Sequence, residues 1–536
     1  MSSRRRSVLG WGGGSVAAFA ALTVVLTIAS RHAFAANADG ATVVLEGAAI
    51  RHGAIGLAGW TFAYDSFWSV DAIAYAFGVL LDGLQASLMH LVPAALAAAI
   101  VLVGGYAAGV EHRRATWVVA SLTVVVALAL PSHALALFFL QGPWHVGTAL
   151  YCLIAFCCLR HERLGWRWGV AVLLLAAGIL GDLQTLALGV APVFVAGAVV
   201  MARRRSVAAG ATLVTGAAAS VGLAAAVRWV AVRLGTFAIV SGHRTATGVQ
   251  MRASIGHAIN WTGALLGIHH GPYGGPHVPA VVEIAHLAGA AVVLAGIVFA
   301  LVRLVRTSVR TPPSSEEPSL RLEQCLLFGI VGSLVEFEVL TLSGNVLYAR
   351  YLTATVIFAT VLGARALAVG VAALIEHARR APDSVASRAG VGALMLGAGA
   401  IVAAYASVVV IDAQPRSPRP PVAGLVAFLK AHRLTNGIGE YWAASIVTVE
   451  SGGDVRVRPV VANHQGMIER DGHQATTDWY DGQRFQFLVY EMRPYGRITP
   501  TTIEKTYGAP THTYRIDQYS VDVWSHSIGV STRSVY

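Results

Sequence analysis

Long apolar runs recur throughout the 536-residue chain and limit it to one class of structure. About eleven segments, among them residues 84–108, 207–232 and 351–375, are apolar over the length that crosses a bilayer. A spanning helix needs about 20 such residues, because each residue adds about 1.5 Å to its length. Hydrophobic residues make up 55% of the sequence and charged residues only 12%. The sequence therefore predicts a mainly α, polytopic transmembrane helical bundle.

The distribution of arginine predicts which ends of the spans face the cytoplasm. The chain has 39 Lys and Arg against 28 Asp and Glu, and a formal net charge of +11. On a soluble protein this excess would indicate nucleic acid as a partner, but here it is concentrated in connections between apolar runs. These clusters occupy alternate connections, at residues 4–6, 113–114, 160–167, 203–205, 303–321 and 379–388. We therefore exclude nucleic-acid binding and place these connections and the N-terminus in the cytoplasm.

The same pattern predicts a large amount of chain outside the membrane. Residues 34–83 and 233–280 form long outer connections, and the proline-rich stretch 412–421 separates a transmembrane module, residues 1–411, from residues 422–536. Alternating apolar residues and glycine turns predict that residues 422–536 form a small extracytoplasmic α/β domain. The basic N-terminus precedes either a first span, which we favour, or a cleaved signal peptide. The arginine- and alanine-rich composition indicates a bacterial protein, so the inner (plasma) membrane is the expected location.

Asp65 is the candidate catalytic residue. It lies in the stretch FAYDSFWSVDA of the first outer connection, beside Phe67 and Trp68. Burial against aromatic rings raises the pKa of a carboxylic acid, and a carboxylate so placed can take a proton from an acceptor hydroxyl. We assign Trp68 to substrate binding. The alternative is that Asp65 caps the following helix, in which Asp71 is a solvated or structural acid.

Further polar residues are predicted to gather at the same outer rim. Arg350 begins a span in GNVLYARYLT, and its guanidinium matches phosphate oxygens; the alternative is an interfacial arginine that snorkels. Asp182 lies in a short hairpin, where it either lines a cavity or caps the turn. His133 and His145 flank another outer connection, and either can hydrogen-bond a phosphate or a sugar hydroxyl. These residues predict a polar site at the extracytoplasmic face.

The sequence pattern assigns no metal ligand. His269, His270 and His277 lie in a glycine-rich stretch without carboxylates at ligand spacing, and the four cysteines all fall in apolar runs. Whether a divalent cation takes part stays open at this point. In the span before Arg350, the side chains of Glu336 and Glu338 point in different directions, so we expect at least one to face the bundle interior.

Four features together resemble the GT-C superfamily of membrane glycosyltransferases, which includes protein mannosyltransferases and lipid A aminoarabinose transferases. They are Asp65 in the first outer connection, the pair Trp144 and His145 before a span, Asp182 in a later hairpin, and the pair Arg350 and Tyr351 at a span entry. The resemblance implies an enzyme that moves a sugar from a polyprenyl-phosphate donor to a cell-envelope glycan, lipid or protein, with inversion at the anomeric carbon. The reaction would take place at the extracytoplasmic face.

The resemblance also implies roles for individual residues. Asp65 matches the general base and Arg350 matches the arginine that holds the donor phosphate. Asp182, His145 and Tyr351 match residues that line the substrate cavity. The chain departs from many members in having Ser66, and not a second acid, after Asp65.

The main alternative is a polytopic transporter or flippase of lipid-linked or anionic solutes, in which Asp182, Glu336 and Arg350 would line a path across the bilayer. Transporters usually contain inverted repeats and broken helices at the midplane, and neither is clear in the sequence. A membrane acyltransferase would use a histidine such as His145 as its base, and an assembly protein would act through residues 422–536. Because the polar residues gather at one rim, the sequence favours an enzyme.

Overall fold

The computed structural model describes residues 3–63, 65–160, 164–203, 207–242, 245–268, 278–309, 318–340, 345–380, 399–411, 422–492 and 498–531. Most of these residues are helical, and the strands are concentrated in the C-terminal part. The predicted mainly α architecture with a strand-rich C-terminal region is therefore confirmed. His269, His270, His277 and the stretch 412–421 lie outside the described residues.

The end of the bundle that carries Asp65, Asp182 and Arg350 is called the outer rim, because the arginine pattern predicts that this end faces outward. The helices up to residue 411 form this bundle. They are α1 (Ser3–Ala33), α2 (Ala38–Arg51), α3 (Asp71–Asp82), α4 (Leu88–Gly109), α5 (Arg114–Ala129), α6 (His133–Phe139), α7 (Val146–Leu159), α8 (Trp166–Gly181), α9 (Ala191–Ala202), α10 (Val207–Arg233), α11 (Gly248–Leu265), α12 (Ala280–Val309), α13 (Pro318–Val339), α14 (Thr353–Arg380) and α15 (Gly399–Ile411). A π-helical turn, Leu186–Val190, precedes α9, and a 3₁₀ helix, Val346–Leu352, precedes α14.

Fewer helices than predicted are long and apolar enough to cross a membrane by themselves. Within the described residues five segments qualify: Gly14–Ala33, Leu88–Gly109, Val207–Arg233, Ala280–Arg306 and Val346–His377. Helices α5 and α6 add a sixth if this pair, bent by 85°, is one span. The apolar helices α7, α8, α9 and α15 have at most 17 residues, fewer than the about 20 that a full span needs. The chain is therefore a multi-pass membrane protein, but the count of eleven spans is not confirmed.

A charged network joins four helices at the end of the bundle that the arginine pattern predicts to be cytoplasmic. Glu323 accepts hydrogen bonds from Arg303 at 2.8 Å and from Arg365 at 3.2 Å, and Arg365 also donates to the carbonyl of Ala107 at 2.8 Å. These residues lie on α13, α12, α14 and α4, respectively. Arg365 is only 2% exposed, and its donors find partners without the help of water. The network fixes the relative positions of these helices far from the outer rim.

The C-terminal region contains α16 (Ala423–Ala431), α17 (Tyr441–Glu450), α18 (Pro500–Tyr507) and most of the strands. Six of these strands are β3 (Asn436–Glu440), β4 (Arg456–Ala462), β5 (Ile468–Arg470), β7 (Phe485–Glu491), β8 (His512–Ile516) and β9 (Tyr519–Ile528). They form one sheet with the order β5-β4-β3-β7-β9-β8, in which β3 is parallel to both β4 and β7. The carboxyl ends of β3 and β4 face the outer rim of the bundle, where Glu440 and Val461 line a cavity.

The C-terminal region shares a hydrophobic core with the first outer connection. A second sheet contains β1 (Trp60–Ala63), β2 (Ala238–Ser241) and β6 (Ala475–Thr476), and its central strand β1 pairs with β6. Helix α17 packs on α2, where Thr42 donates a buried hydrogen bond of 2.9 Å to Ser445. Apolar residues of both parts, for example Val43 and Val447, belong to one buried cluster. The C-terminal region is therefore docked on the outer rim through a continuous core.

Candidate active site

A cavity of about 330 Å³ lies between the outer rim of the bundle and the C-terminal region. The membrane part contributes Asp39, Asp65, Arg350 and Tyr351 to its walls. The C-terminal region contributes, among others, Glu440, Tyr441, Trp442, Asp471, His473 and Gln474. Carboxylates, a guanidinium and aromatic rings from distant parts of the chain thus face one space.

Asp65 lies between β1 and α3 and is 8% exposed. Its Oδ1 accepts a hydrogen bond of 3.2 Å from the backbone N–H of Leu183. Burial and the charge of Asp182 raise the pKa of Asp65 to about 7, although His145, Leu183 and Arg350 act in the opposite direction. An acid with this pKa can lose and regain a proton near neutral pH, as a general base must.

The structure argues against the helix-cap interpretation of Asp65. Helix α3 begins at Asp71, its N-cap is Val70, and no side chain caps it. The hydrogen bond that Asp65 accepts comes from the Asp182 hairpin, more than 100 residues away along the chain. Asp65 is therefore held as part of a tertiary site and not as part of a local turn.

His145 and Asp182 form a buried pair beside Asp65. The Nδ1 atom of His145 lies 2.8 Å from Oδ2 of Asp182, which also accepts a hydrogen bond from Thr148. Burial acts to raise the pKa of Asp182, but the charge of His145 and hydrogen bonds from His145, Thr148 and the backbone of Gln184 lower it overall. Asp182 also closes its own turn, since Oδ1 accepts from the Gln184 N–H at 2.9 Å. Asp182 therefore caps its own turn and also holds His145. Neither residue is among those that line the cavity, so both lie buried behind Asp65 and do not form its wall.

The backbone at His145 is strained, with φ of +65° at the N-cap of α7. A non-glycine residue rarely adopts this left-handed conformation, and the cost persists only where surrounding contacts hold it. Here the imidazole contacts two rings, with centroid distances of 4.3 Å to Tyr351 and 5.3 Å to Phe67. The strain aims the ring at the Asp65 and Asp182 carboxylates.

Arg350 and Tyr351 enter the site from the 3₁₀ helix that precedes α14. The Arg350 guanidinium lies over the rings of Tyr348 and Tyr351, at 5.7 and 5.6 Å, and it lines the cavity. The Tyr351 carbonyl accepts hydrogen bonds of 3.0 Å from both Gln184 and Ser333, which fix the end of the 3₁₀ helix. The guanidinium is thus directed into the cavity, where it can meet an anion.

Asp65, His145 and Asp182 also form a set that can hold a metal ion. One ligand atom of each residue lies within 4.8 Å of the others. Two carboxylates and an imidazole are ligands that suit a divalent cation. Nε2 of His145 is buried and has no hydrogen-bond partner among the described residues. The donor set therefore fits a divalent cation, although residues so far apart in the sequence give no metal signature.

Other residues singled out from the sequence lie away from the cavity. The indole N–H of Trp68 donates to the Ile55 carbonyl at 2.6 Å, and its ring packs on Phe237. Phe67, and not Trp68, is among the cavity residues, so we place Trp68 in the supporting core. His133 lies against the ring of Phe34. Asp71 is 1% exposed, which excludes the solvated interpretation and leaves the structural one.

Glu336 meets the expectation that one acid of α13 faces the interior. Its carboxylate interacts with Gln184, the neighbour of Asp182, whereas Glu338 lies toward His257. Glu336 therefore belongs to the surroundings of the site.

Asp39 and the C-terminal region line the cavity, although the sequence did not predict a place for either in the site. Asp39 lies in the first turn of α2, directly after the first span, and its Oδ1 accepts a hydrogen bond of 2.6 Å from the Tyr441 hydroxyl. An acid that follows a span so closely could have been predicted to lie at the membrane boundary, near the other polar residues of the site. In contrast, no local pattern indicates that Tyr441, 402 residues further on, reaches it.

Known proteins resemble this chain in structure. No family model and no curated protein matches it. Among solved structures, apo ArnT from Cupriavidus metallidurans aligns with a TM-score of 0.56 and 13% identity over 96% of this chain and 98% of ArnT. ArnT bound to undecaprenyl phosphate aligns with a TM-score of 0.52, the same identity and the same coverage. The Archaeoglobus fulgidus oligosaccharyltransferase aligns at 0.49 with 12% identity, covering 89% of this chain and 69% of that one.

At this identity the alignment with ArnT establishes the fold. ArnT, an aminoarabinose transferase, is a GT-C glycosyltransferase, and the alignment covers nearly all of both chains. The resemblance inferred from the sequence is therefore confirmed, and the chain has the fold of a GT-C glycosyltransferase.

Proposed function

We propose that the protein is an inverting glycosyltransferase that moves a sugar from a polyprenyl-phosphate donor to an acceptor at the extracytoplasmic face. The observation that carries the proposal is the shared cavity of Asp65 and Arg350, which provides a base with a pKa of about 7 and a cation for a phosphate. The ArnT structure with undecaprenyl phosphate supports a lipid-phosphate donor, since the two chains share a fold.

Arg350 is the residue proposed to hold the donor phosphate. Its Nε has no hydrogen-bond partner among the described residues, and the flanking tyrosine rings restrict its position. When the sugar leaves, negative charge develops on the polyprenyl phosphate, and a preorganised guanidinium stabilises that charge. The aromatic contacts limit the reorganisation that this stabilisation requires.

Asp65 is the proposed base for the acceptor. As the acceptor oxygen attacks the anomeric carbon, its proton passes to the Asp65 carboxylate and the bond from carbon to phosphate oxygen breaks. Asp39 is a second acid on the same cavity wall, but the Tyr441 hydroxyl already donates to it. Asp65 has no such contact with the C-terminal region among the hydrogen bonds of the described residues, so its carboxylate is open to an acceptor.

His145 and Asp182 position the base. Asp182 fixes the imidazole through Nδ1, and the Asp182 hairpin donates the Leu183 N–H to Asp65. If a divalent cation binds, Asp65, His145 and Asp182 would hold it, and it would supply positive charge near the departing phosphate.

The C-terminal region provides the wall that faces the acceptor. Trp442 is 44% exposed, and Glu440, Asp471 and His473 offer hydrogen-bonding groups on the same wall. Aromatic rings and carboxylates are suited to a sugar, whose C–H face packs on a ring and whose hydroxyls donate to oxygen. The acceptor is therefore proposed to be a hydroxyl-bearing component of the cell envelope.

The proposal is tested by separating donor binding from transfer. Purified Asp65→Asn should retain the thermal stabilisation that undecaprenyl phosphate gives the wild type, whereas Arg350→Ala should bind this lipid about tenfold to a hundredfold more weakly, the range for a lost charge-assisted contact. In cells that depend on the gene, Asp65→Asn should cause the polyprenyl-phosphate sugar to accumulate, as measured by mass spectrometry of lipid extracts.

Matched controls are available in the two long connections that the arginine pattern predicts to be extracytoplasmic. Asp82→Asn and Arg252→Ala change exposed side chains and should behave like the wild type. Normal turnover of the lipid-linked sugar in Asp65→Asn cells would reject the base. Movement of an intact lipid-linked sugar across proteoliposomes, with no transfer, would instead support the transporter.

A further inference from the structure

The C-terminal region contains a second cavity, of about 580 Å³, at the amino ends of β3 and β4. Residues on its walls include Asn436, Asp454, Arg456, Arg458, Asp478 and Trp479. It is separate from the candidate active site, which lies at the carboxyl ends of the same strands. The proposed sugar transfer gives this second cavity no role.

Two arginines point from one strand into this cavity. Arg456 and Arg458 are two residues apart on β4, so both lie on the same face, about 6.6 Å from each other along the strand. Neither has an ion pair or a side-chain hydrogen bond to another described residue. Two like charges so close together repel each other unless an anion lies between them.

The guanidinium of Arg458 is held in place by packing. It lies 4.4 Å from the centroid of Trp479, and that ring packs edge-on against Trp60. Burial and the charge of Arg456 lower the pKa of Arg458 to about 10, against the opposing effect of Tyr480. A half-buried cation with a fixed orientation and no ion pair among the described residues is energetically unfavourable by itself, and such groups are typical of binding sites.

The other polar groups of the cavity leave these cations available. Asp454 is neutralised by Lys430 at 2.8 Å, and the Asn436 side chain donates to the Arg484 carbonyl at 2.7 Å. The backbone N–H groups of Thr435 and Asn436 are bound to Gln486. Asp478 is the remaining acid on the wall, and it forms no ion pair with either arginine in the part of the chain that the structure describes.

We propose that Arg456 and Arg458 form a binding site for an oxyanion, a phosphate or carboxylate group, carried by a ligand at the extracytoplasmic face. A guanidinium presents a planar set of donors that matches two oxygens of such a group, and the stacked Trp479 keeps that plane fixed. The volume of the cavity exceeds that of a lone anion, so the group belongs to a larger molecule, a soluble sugar phosphate or uronate or the headgroup of an anionic lipid.

The test uses the full-length protein in nanodiscs of zwitterionic lipid, titrated with inorganic phosphate and with glucuronate while thermal stability is measured. The wild type should be stabilised by at least one of these anions. Arg458→Gln and Arg456→Gln should each need about tenfold more anion for the same shift, the loss expected for one charged contact. Arg515→Gln removes an exposed arginine from the edge strand β8 and should respond like the wild type.

Arg456 is exposed, so its substitution tests binding even if loss of the Arg458 stack destabilises the fold. Repeating the titration in nanodiscs with anionic lipid distinguishes the two sources. If anionic lipid weakens the response of the wild type to phosphate but leaves the response of Arg456→Gln the same, the ligand is a lipid headgroup. If the response of the wild type is unchanged, the ligand is soluble. Equal anion responses in the wild type and both glutamine variants would overturn the site. Because the assay does not require sugar transfer, its result is independent of the proposed function.

Discussion

Asp65 owes its protonation behaviour to its surroundings more than to its own chemistry. Burial is the main reason that its pKa rises to about 7, and the nearby charge of Asp182 adds to the shift. Because the base must be deprotonated, we expect the rate of transfer to rise with pH through about 7 and then level off. Initial rates between pH 5 and 9 would show this rise, which reports the interacting carboxylates of Asp65 and Asp182 together. A rate already constant from pH 5 upward would contradict the assigned base.

The sequence could predict which residues of the membrane part meet, because arginine clusters assign the connections to sides. Asp65, Asp182 and Arg350 come from three separate connections, and the structure places them around one site. The sequence could not predict the His145 to Asp182 hydrogen bond, since that contact depends on a positive φ at a histidine. The sequence also could not predict that Phe67 lines the cavity and Trp68 lies behind it, because adjacent aromatic residues give the same signal.

Helices α12 and α14 approach each other closely through small residues. A Cβ atom on Gly296 would lie 2.3 Å from the backbone nitrogen of Gly363. Because the obstructing atom belongs to the backbone, a side chain at Gly296 would push the two helices apart. Close backbone approach is a common way in which helices associate in membranes. The apolar character of these spans was evident from the sequence. The contact between the two glycines was not, because the chain has 56 glycines and the sequence does not show which of them lie at helix interfaces.

Gly296→Ala should therefore destabilise the bundle by about 1 to 3 kcal/mol, the usual cost of overpacking. Thermal unfolding in detergent would measure the change. Gly370→Ala is the matched control, since a Cβ there meets nothing within 4 Å and alanine favours a helix by about 1 kcal/mol. Equal melting temperatures for Gly296→Ala and Gly370→Ala would show that α12 and α14 are not in this contact.

The C-terminal region illustrates what a break in composition can and cannot predict. The proline-rich stretch 412–421 marks a change from apolar helices to alternating strands, and the strand-rich fold beyond it is confirmed. Its docking could not be predicted, because the contacts join residues that are some 400 positions apart. Strand β6 pairs with β1, and α17 shares a core with α2. The region therefore forms one wall of the candidate active site.

This docking can be tested with a cross-link. Thr42 and Ser445 are buried and their hydroxyl oxygens lie 2.9 Å apart, so the pair Thr42→Cys with Ser445→Cys should form a disulfide under mild oxidation. The product should migrate faster in non-reducing electrophoresis and return to the normal position with reductant. Each single variant controls for the four native cysteines. Failure of the pair to cross-link would mean that α17 does not rest on α2.

The two ends of the bundle differ in a way that makes the orientation testable. The outer end carries Asp65 and Arg350. Arg365 lies about 20 Å from Arg350 along the helix axis and belongs to the charged network with Glu323. The arginine pattern predicts that the network end is cytoplasmic. In a background without native cysteines, a membrane-impermeant maleimide should label Ala509→Cys in intact spheroplasts, but Gly165→Cys only after permeabilisation. Labelling of both from the same side would contradict the predicted orientation, because Gly165 precedes α8 at the end opposite Asp182, whereas Ala509 belongs to the region that forms the cavity wall.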